Sequence, residues 1–153
     1  MNEVVVQTAD ELIALGERIG ARLTGGETIE LVGDIGAGKT TLTKGLARGM
    51  GIAEEVQSPT FTLSRVYDAP NGRRLAHYYF YRLNNAGIMQ AELAEVVQDA
   101  RTVTVIEWAA VVGDVLPDDT LRITICVQTD DTRRLELEAG GKCSKHIVQE
   151  LMK

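Results

Sequence analysis

The sequence predicts an α/β protein in which helices flank a mixed sheet with a parallel core and antiparallel hairpins. An apolar run, Thr28–Val32, precedes a helical pattern that ends near Arg48, and a second apolar run, Val103–Ile106, follows much later. A strand–helix–strand order favours a right-handed crossover between parallel strands. Two pairs of strand-like segments, each pair joined by a turn, predict the antiparallel hairpins.

The N-terminal elements follow from hydrophobic periodicity and capping residues. Glu3–Gln7 is predicted to be a short strand. Thr8-Ala9-Asp10-Glu11 matches the Thr-x-x-Glu capping box and precedes leucine and isoleucine residues at helical spacing. We expect Thr24-Gly25-Gly26 to end this helix, because glycine suits a left-handed cap.

The later elements are predicted in the same way. Phe61–Tyr67 and Arg74–Tyr81 form a hairpin around the turn Asp68–Gly72, where Asn-Gly is a strong turn signal. The remaining predictions are a helix over Gln90–Val97, a short helix over Ala109–Val115, strands over Thr120–Gln128 and Arg133–Glu138 around the turn Thr129–Thr132, and a helix over Lys142–Met152.

Length and composition predict one soluble domain. The chain has 153 residues, of which 44% are hydrophobic and 25% charged. No apolar run approaches the ~20 residues that span a bilayer, and the acidic start lacks the pattern of a secretion signal. Cys126 and Cys143 are expected to be the reduced thiols of a cytoplasmic protein. A net charge of −6 argues against direct binding of bare DNA or RNA.

The segment from Gly33 to Thr41 carries the clearest chemical signal. It fits the pattern of a glycine, four residues, then Gly-Lys-Thr, and it lies between a predicted strand and a predicted helix. Glycines allow consecutive amides to turn toward an anion, and the helix directs its positive end at the same point. Lys39 would neutralise β- and γ-phosphates, and the Thr40 hydroxyl would be a Mg²⁺ ligand. A plain glycine-rich turn is the alternative, but the strand and helix favour a nucleotide site of the P-loop NTPase type.

An acidic residue is expected to serve the same site. Glu107 follows the apolar strand Val103–Ile106, and ligands of α/β sheets bind at the carboxyl ends of parallel strands. Its carboxylate can hold Mg²⁺, directly or through water, or orient the attacking water. The neighbouring Trp108 can pack in the core or line the site.

Two further segments carry weaker signals. Ser58–Thr62 can sense a γ-phosphate through its hydroxyls and amides, or it can be a plain loop before a strand. His77–Arg82 is expected to be an aromatic-rich strand in which a backbone group satisfies His77.

Four segments taken together resemble one family, the bacterial TsaE-type ATPases of tRNA threonylcarbamoyladenosine biosynthesis. They are Gly33–Thr41, Ser58–Thr62, His77-x-x-x-Tyr81-Arg82-Leu83 and Ile106-Glu107-Trp108. The resemblance implies a protein that binds ATP or ADP with Mg²⁺ and hydrolyses ATP. It also implies two partner proteins, which modify adenosine 37 of tRNAs that read codons beginning with A. The tRNA would be held by the partners, and hydrolysis would support turnover of the complex.

The same resemblance implies roles for particular residues. The phosphate cradle would comprise Gly33, Gly36, Ala37, Gly38, Lys39, Thr40 and Thr41. Thr40 and Glu107 would be the metal ligands, and Lys39 and Glu107 the catalytic residues. Thr8 and Arg133 would lie near the far end of the nucleotide, although Arg134 can take the place of Arg133.

One position departs from the family pattern. The motif is His-x-Asp-x-Tyr-Arg, but this chain has Tyr79 where the aspartate stands. If that carboxylate helps to hold the metal, Glu107 carries more of the task and hydrolysis is slow. A nucleotide-dependent scaffold with negligible turnover therefore stays open. A small-metabolite kinase is a second alternative, since such kinases share this loop and approximate size, and Arg73, Arg74 and Arg82 are the nearest candidates to shield the phosphoryl group.

Overall fold

The computed structural model describes residues 2–34, 36–57, 64–80 and 88–153. The strands within these ranges are β1 (Asn2–Val6), β2 (Thr28–Val32), β3 (Ser64–Asp68), β4 (Arg74–Tyr79), β5 (Thr102–Glu107), β6 (Thr120–Val127) and β7 (Arg133–Ala139). The α-helices are α1 (Ala9–Gly20), α2 (Lys39–Gly49), α3 (Ile88–Val96) and α4 (Lys142–Leu151), and a 3₁₀ helix spans Ala109–Val115. None of the described helices has the length and apolar character needed to cross a membrane.

The strands form one mixed sheet in the order β1-β7-β6-β2-β5-β4-β3. Parallel pairs join β6 to β2, β2 to β5 and β5 to β4. Antiparallel pairs add β7 and β1 at one side and β3 at the other. The parallel core and both hairpins are therefore confirmed. Because Leu31 of β2 is in register with Glu107 of β5, that acid lies beside the strand that leads into the glycine-rich loop.

Helices α1, α2 and α4 cover one face of the sheet and form the larger core with it. Apolar residues of α1 and α2, such as Ile19 and Leu46, are fully buried against strand residues such as Ile29 and Val105. The helices α1 and α2 approach closely because glycines lie between them. A Cβ placed on Gly16 would stand 2.6 Å from the carbonyl oxygen of Leu42.

The second face is covered in part. Tyr78 and Phe80, at and just beyond the end of β4, pack with Leu93 of α3 and Val112 of the 3₁₀ helix in a smaller apolar cluster. Strand β5 is buried along its whole length, because the sheet has apolar layers on both faces there.

The first helix ends earlier than the sequence predicts. It stops at Gly20 rather than at Thr24-Gly25-Gly26, and Ala21 caps it in a right-handed conformation with its amide bonded to the Glu17 carbonyl. Gly25 and Gly26 do have positive φ angles, but they belong to the turn that leads into β2. The Glu27 carboxylate accepts the amides of Thr24 and Gly25, which fixes this turn without a helix.

The other predicted elements are confirmed within one to three residues at most ends. The strand predicted over Phe61–Tyr67 is described from Ser64, and its first residues lie outside the described part of the chain. The end of the predicted strand Arg74–Tyr81 lies outside it as well. The expected capping box is present, with the Thr8 hydroxyl accepting the Glu11 amide.

Candidate functional site

The glycine-rich loop leads from β2 directly into α2. Gly36 and Gly38 have φ angles of 85° and 116°, which L side chains rarely adopt. The amide of Ala37 bonds to the Asp34 carbonyl and closes a turn within the loop. Gly38 is the N-cap of α2 and has no side chain to cap it, so the first amides of the helix face the loop as donors. Such a loop offers amides and a positive helix end to an anion.

Lys39 is the first residue of α2, and it is buried despite its charge. The residue is 6% exposed, and its Nζ donates to the Gly33 carbonyl at 2.5 Å. The same nitrogen lies 4.2 Å from the centroid of the Trp108 ring, a cation–π contact. Burial lowers the pKa of Lys39, and the nearby carboxylates of Glu107 and Asp34 oppose that shift. The ammonium group of Lys39 is therefore largely shielded from water. It contacts a backbone carbonyl and an aromatic ring, and two carboxylates lie nearby.

Trp108 combines its two predicted roles. Its ring lies under Lys39, and it also packs against the smaller apolar cluster. Its backbone is left-handed, with φ of 60°, and it is the N-cap of the 3₁₀ helix.

Glu107 ends β5 and is 2% exposed. Its Oε2 lies 2.5 Å from Nε2 of His77, which is fully buried on the neighbouring strand β4. The expectation that a backbone group satisfies His77 is therefore wrong. Alternation along β4 places His77 and Tyr79 on one face, and Tyr79 is directly in register with Glu107. The alternation of His77 and Tyr79 is visible in the sequence, but it indicates a contact with Glu107 only when β4 is known to lie beside β5.

Thr8 and Arg133 lie on the other side of the loop. They line a cavity of roughly 180 Å³ together with Leu12, Gly36, Gly38, Thr41 and Asp131, among others. Arg133 Nε donates to the Ala37 carbonyl at 3.1 Å, so this side chain contacts the loop itself. Val6 of β1 pairs with Arg133 of β7, which brings the start of α1 beside the late hairpin.

Arg134 points away from this cavity. Its Nη2 lies 3.3 Å from Glu136 Oε1, and alternation along β7 places both side chains on the opposite face of the sheet. Of the two neighbouring arginines, Arg133 is the one that reaches the loop.

The structure thus brings the sequence-predicted residues together around one loop. Thr8, Arg133 and Thr41 lie on one side, and Lys39 and Glu107 lie on the other. Thr40, the second residue of α2, is partly buried, and Ala37 is fully buried. Ser58–Thr62 and the segment Tyr81-Arg82-Leu83 lie outside the described residues.

A larger cavity, of about 460 Å³, lies on the face of the sheet that α1, α2 and α4 do not cover. Arg122 lines it and forms ion pairs with Glu30 at 3.0 Å and with Glu138 at 3.5 Å. These charges satisfy one another at a solvent-exposed surface. The described lining of this cavity includes no residue of the glycine-rich loop.

A glycine-rich loop between a parallel strand and a helix, with a buried lysine at the first helical position and an acid ending the adjacent strand, defines a P-loop nucleotide-binding protein. The particular family follows from comparison with known proteins. The family model for the threonylcarbamoyl adenosine biosynthesis protein TsaE matches residues 6–135. The chain belongs to the TsaE family.

Individual relatives agree with this assignment. The tRNA threonylcarbamoyladenosine biosynthesis protein TsaE of Bacillus subtilis is 34% identical over 93% of this chain and 88% of its own length. The protein of the same name from Treponema pallidum is 38% identical over 86% of this chain and 96% of its own length. The crystal structure of Bacillus subtilis YdiB superposes with a TM-score of 0.81 at 30% identity, covering 99% of this chain and 93% of that one.

Proposed function

We propose that this TsaE-family protein binds ATP with Mg²⁺ and hydrolyses it in support of threonylcarbamoyl modification of adenosine 37 in tRNA. Family membership and the names of the relatives support the place in tRNA threonylcarbamoyladenosine biosynthesis. The geometry of the loop supports the ATPase activity. The observation that carries most weight is that buried Lys39 and buried Glu107 lie near one another beside the glycine-rich loop.

The loop suits a phosphate chain in shape and in charge. Apart from Gly36 itself and its two chain neighbours, no described atom lies within 4 Å of a Cβ placed on Gly36, so the loop is open there to a ligand. We assign the phosphates to the amides from Gly36 to Thr41, with Gly33 and Ala37 shaping the loop behind them. Lys39 Nζ would leave the Gly33 carbonyl for a phosphate oxygen, because a charge-assisted bond to an anion is the stronger one.

The donors near the phosphates suit a hard cation. The Thr40 hydroxyl and the Glu107 carboxylate supply oxygen, the ligand type that Mg²⁺ prefers. When bound, Mg²⁺ would neutralise charge on the phosphates while the γ-phosphoryl group is transferred to water. Glu107 would hold the metal or its waters and orient the attacking water. Thr8 and Arg133 would contact the far end of the nucleotide.

Partner proteins fit the charge of this chain. A net charge of −6 disfavours direct contact with tRNA phosphates, so we assign tRNA binding to two partner proteins of the modification complex. Hydrolysis by this chain would then serve turnover of the complex.

The test measures phosphate release from ATP by this protein, alone and with the two partners, together with formation of threonylcarbamoyladenosine on tRNA. We expect release to rise when partners are added, and modification to depend on this chain. Lys39→Ala should weaken ATP binding about 10- to 100-fold, as expected for loss of a hydrogen bond from a charged group. Lys44→Ala, on the same helix but outside the loop, is the matched control. Equal phosphate release by wild type and Lys39→Ala would contradict the proposed site.

A nucleotide-dependent scaffold with negligible turnover is the second candidate, and one observation favours it. Tyr79 stands directly opposite Glu107, at the position where the resemblance implies a second carboxylate. Nucleotide binding without phosphate release, still required for modification, would support this candidate. The structure offers less to a kinase, because Arg73 is bonded to the carbonyls of Leu23 and Met50, and Arg74 to Asp99.

A further inference from the structure

We propose that His77 is a positioning residue that holds the Glu107 carboxylate toward the phosphate loop. The inference rests on the proposed function, because it specifies how that site keeps its acid in place. It concerns a residue for which the sequence pattern predicts only a place in a strand. The observation behind it is the 2.5 Å contact between two buried side chains on adjacent strands.

The fold fixes this contact. His77 and Glu107 lie on the parallel neighbours β4 and β5, and Tyr79 rather than His77 is directly opposite Glu107. His77 is therefore two residues back along β4, on the same face of the sheet. From there its ring reaches the carboxylate with Nε2, the nitrogen farther from the backbone.

The direction of the hydrogen bond follows from the chemistry of the acceptor. A carboxylate that holds Mg²⁺ is ionised and can only accept, so in that role Glu107 accepts through Oε2 a hydrogen bond that His77 donates from Nε2–H. The bond engages one carboxylate oxygen, Oε2, and restrains the rotation of the Glu107 side chain. The position of the other oxygen, Oε1, is thereby set as well. Outer residues of this kind orient metal ligands, and their loss typically costs about 10- to 100-fold in metal affinity or activity.

Packing alone does not explain the histidine. His77 is 0% exposed, and its Nδ1 has no hydrogen-bond partner among the described residues. A buried nitrogen without a partner is unfavourable, so an apolar side chain would serve the core better. The bond to Glu107 gives the imidazole a role that an apolar residue cannot perform.

Two substitutions separate positioning from packing. His77→Gln keeps an N–H donor at about the reach of Nε2, whereas His77→Asn carries the same amide one bond closer to the backbone. Each protein, after a check of its folding by circular dichroism, is assayed for kcat and KM with ATP. Binding of a fluorescent ADP analogue is measured with Mg²⁺ and with EDTA.

We expect asparagine at position 77 to fail to position Glu107, and glutamine to succeed. His77→Asn should lower kcat about 10- to 100-fold, with KM changed less than about threefold. It should also lose most of the Mg²⁺-dependent gain in ADP affinity, while metal-free affinity stays near wild type. His77→Gln should restore both quantities. Equal behaviour of the two variants, or a fall in metal-free affinity, would overturn the positioning role.

A spectroscopic measurement on the unaltered site covers the case in which a variant does not fold. The His77 Nε2–H proton should give a downfield NMR signal that shifts when ADP is added with Mg²⁺, because the metal draws electron density from Glu107. ADP with EDTA should leave the signal in place. His146, the only other histidine, lies on α4 and serves as an internal reference. A signal whose chemical shift does not change when ADP is added with Mg²⁺ would refute the inference.

The failure of this inference is distinguishable from failure of the proposed function. Wild-type protein that binds ADP but releases no phosphate would refute the hydrolysis, while the NMR shift would still test the contact. Wild-type protein with normal turnover, matched by both His77 variants, would refute the positioning role alone.

Discussion

Glu107 is buried, acidic and close to a buried lysine, and burial of such charges costs stability unless they are paired or hydrogen-bonded. His77 and Lys39 supply this compensation, because His77 contacts the carboxylate and Lys39 lies near it. A residue kept for stability alone would be replaceable by a neutral side chain of the same shape. A residue that seats a metal or orients water would not.

Glu107→Gln separates these roles, because glutamine preserves the shape and removes the charge. We expect ATP hydrolysis to fall about 100-fold, in the range for loss of a general base or metal ligand. Binding of ADP in EDTA should change little. Turnover close to wild type in this variant would contradict the assigned role of Glu107.

Arg133 and Arg134 form a natural matched pair on β7. Arg133 contacts the Ala37 carbonyl, whereas Arg134 pairs with Glu136 on the other face. We expect Arg133→Ala to weaken ATP binding about 10-fold, the effect of losing one charged hydrogen bond. Arg134→Ala should bind ATP normally. Titration of both variants with a fluorescent nucleotide measures this, and equal affinities would remove Arg133 from the site.

At the scale of elements, the closeness of α1 and α2 determines where the loop lies. Leu12 of α1 limits the space at Gly38, since a Cβ there would stand 2.7 Å from Leu12 Cδ2. The helix that begins at Thr8 and the helix that follows the loop are thus one packed unit.

Gly16→Ala tests this packing. Alanine usually stabilises a helix over glycine by about 0.5–1 kcal/mol. Here the added methyl would meet the Leu42 carbonyl at 2.6 Å and Gly45 Cα at 2.9 Å. We therefore expect a net loss of about 1–3 kcal/mol in the free energy of unfolding, measured by urea denaturation.

Gly113→Ala is the control for this substitution, because a Cβ placed there would meet no described atom within 4 Å outside its chain neighbours and its own helix backbone. It should leave stability nearly unchanged. A stabilised Gly16→Ala protein would show that the two helices have room to separate.

The start of α4 depends on an acid from a different part of the chain. Gly141 is the N-cap and gives no side-chain cap, and Asp119 accepts the amides of Cys143 and Ser144 at 2.9 and 3.0 Å instead. Desolvation raises the pKa of the Asp119 carboxyl, but the bonds from Ser144 and Cys143 outweigh it. The net result is a pKa below the ordinary value of 3.8.

Asp119→Ala should destabilise the protein by about 1 kcal/mol at pH 7, the usual effect of losing a helix cap. A carboxyl whose pKa is lowered on folding stabilises above its unfolded value and loses that contribution as the pH falls through the folded value. The difference from wild type should therefore shrink below about pH 3.9. Urea denaturation at several pH values measures it, with Asp118→Ala as control. A difference that does not shrink at all as the pH is lowered below this value would contradict the capping role.

At the scale of the whole molecule, the order of strands assembles the site. Strand β2 lies in the middle of the parallel core and delivers the loop. The pairing of β1 with β7 brings Thr8 and Arg133 to one side of it, and β5 with β4 brings Glu107 and His77 to the other. Residues distant in the chain therefore meet at one loop.

Much of this arrangement could be predicted from the sequence, because it depends on local patterns. The loop pattern predicts the turn and the following helix, and the capping box predicts the start of α1. The apolar run Val103–Ile106 predicts a buried strand that ends at Glu107. The bond between His77 and Glu107 could not be predicted, since it depends on which strand lies beside β5. The end of α1 was missed because Glu27 fixes a turn that resembles a glycine cap in sequence.

A crystal structure with a non-hydrolysable ATP analogue and Mg²⁺ would examine the site as a whole. We predict that the phosphates lie on the amides from Gly36 to Thr41, with Lys39 Nζ moved from the Gly33 carbonyl to a phosphate oxygen. Thr40 and Glu107 should face the metal, directly or through water. Nucleotide bound elsewhere, or Glu107 turned away from the metal, would contradict the proposed site.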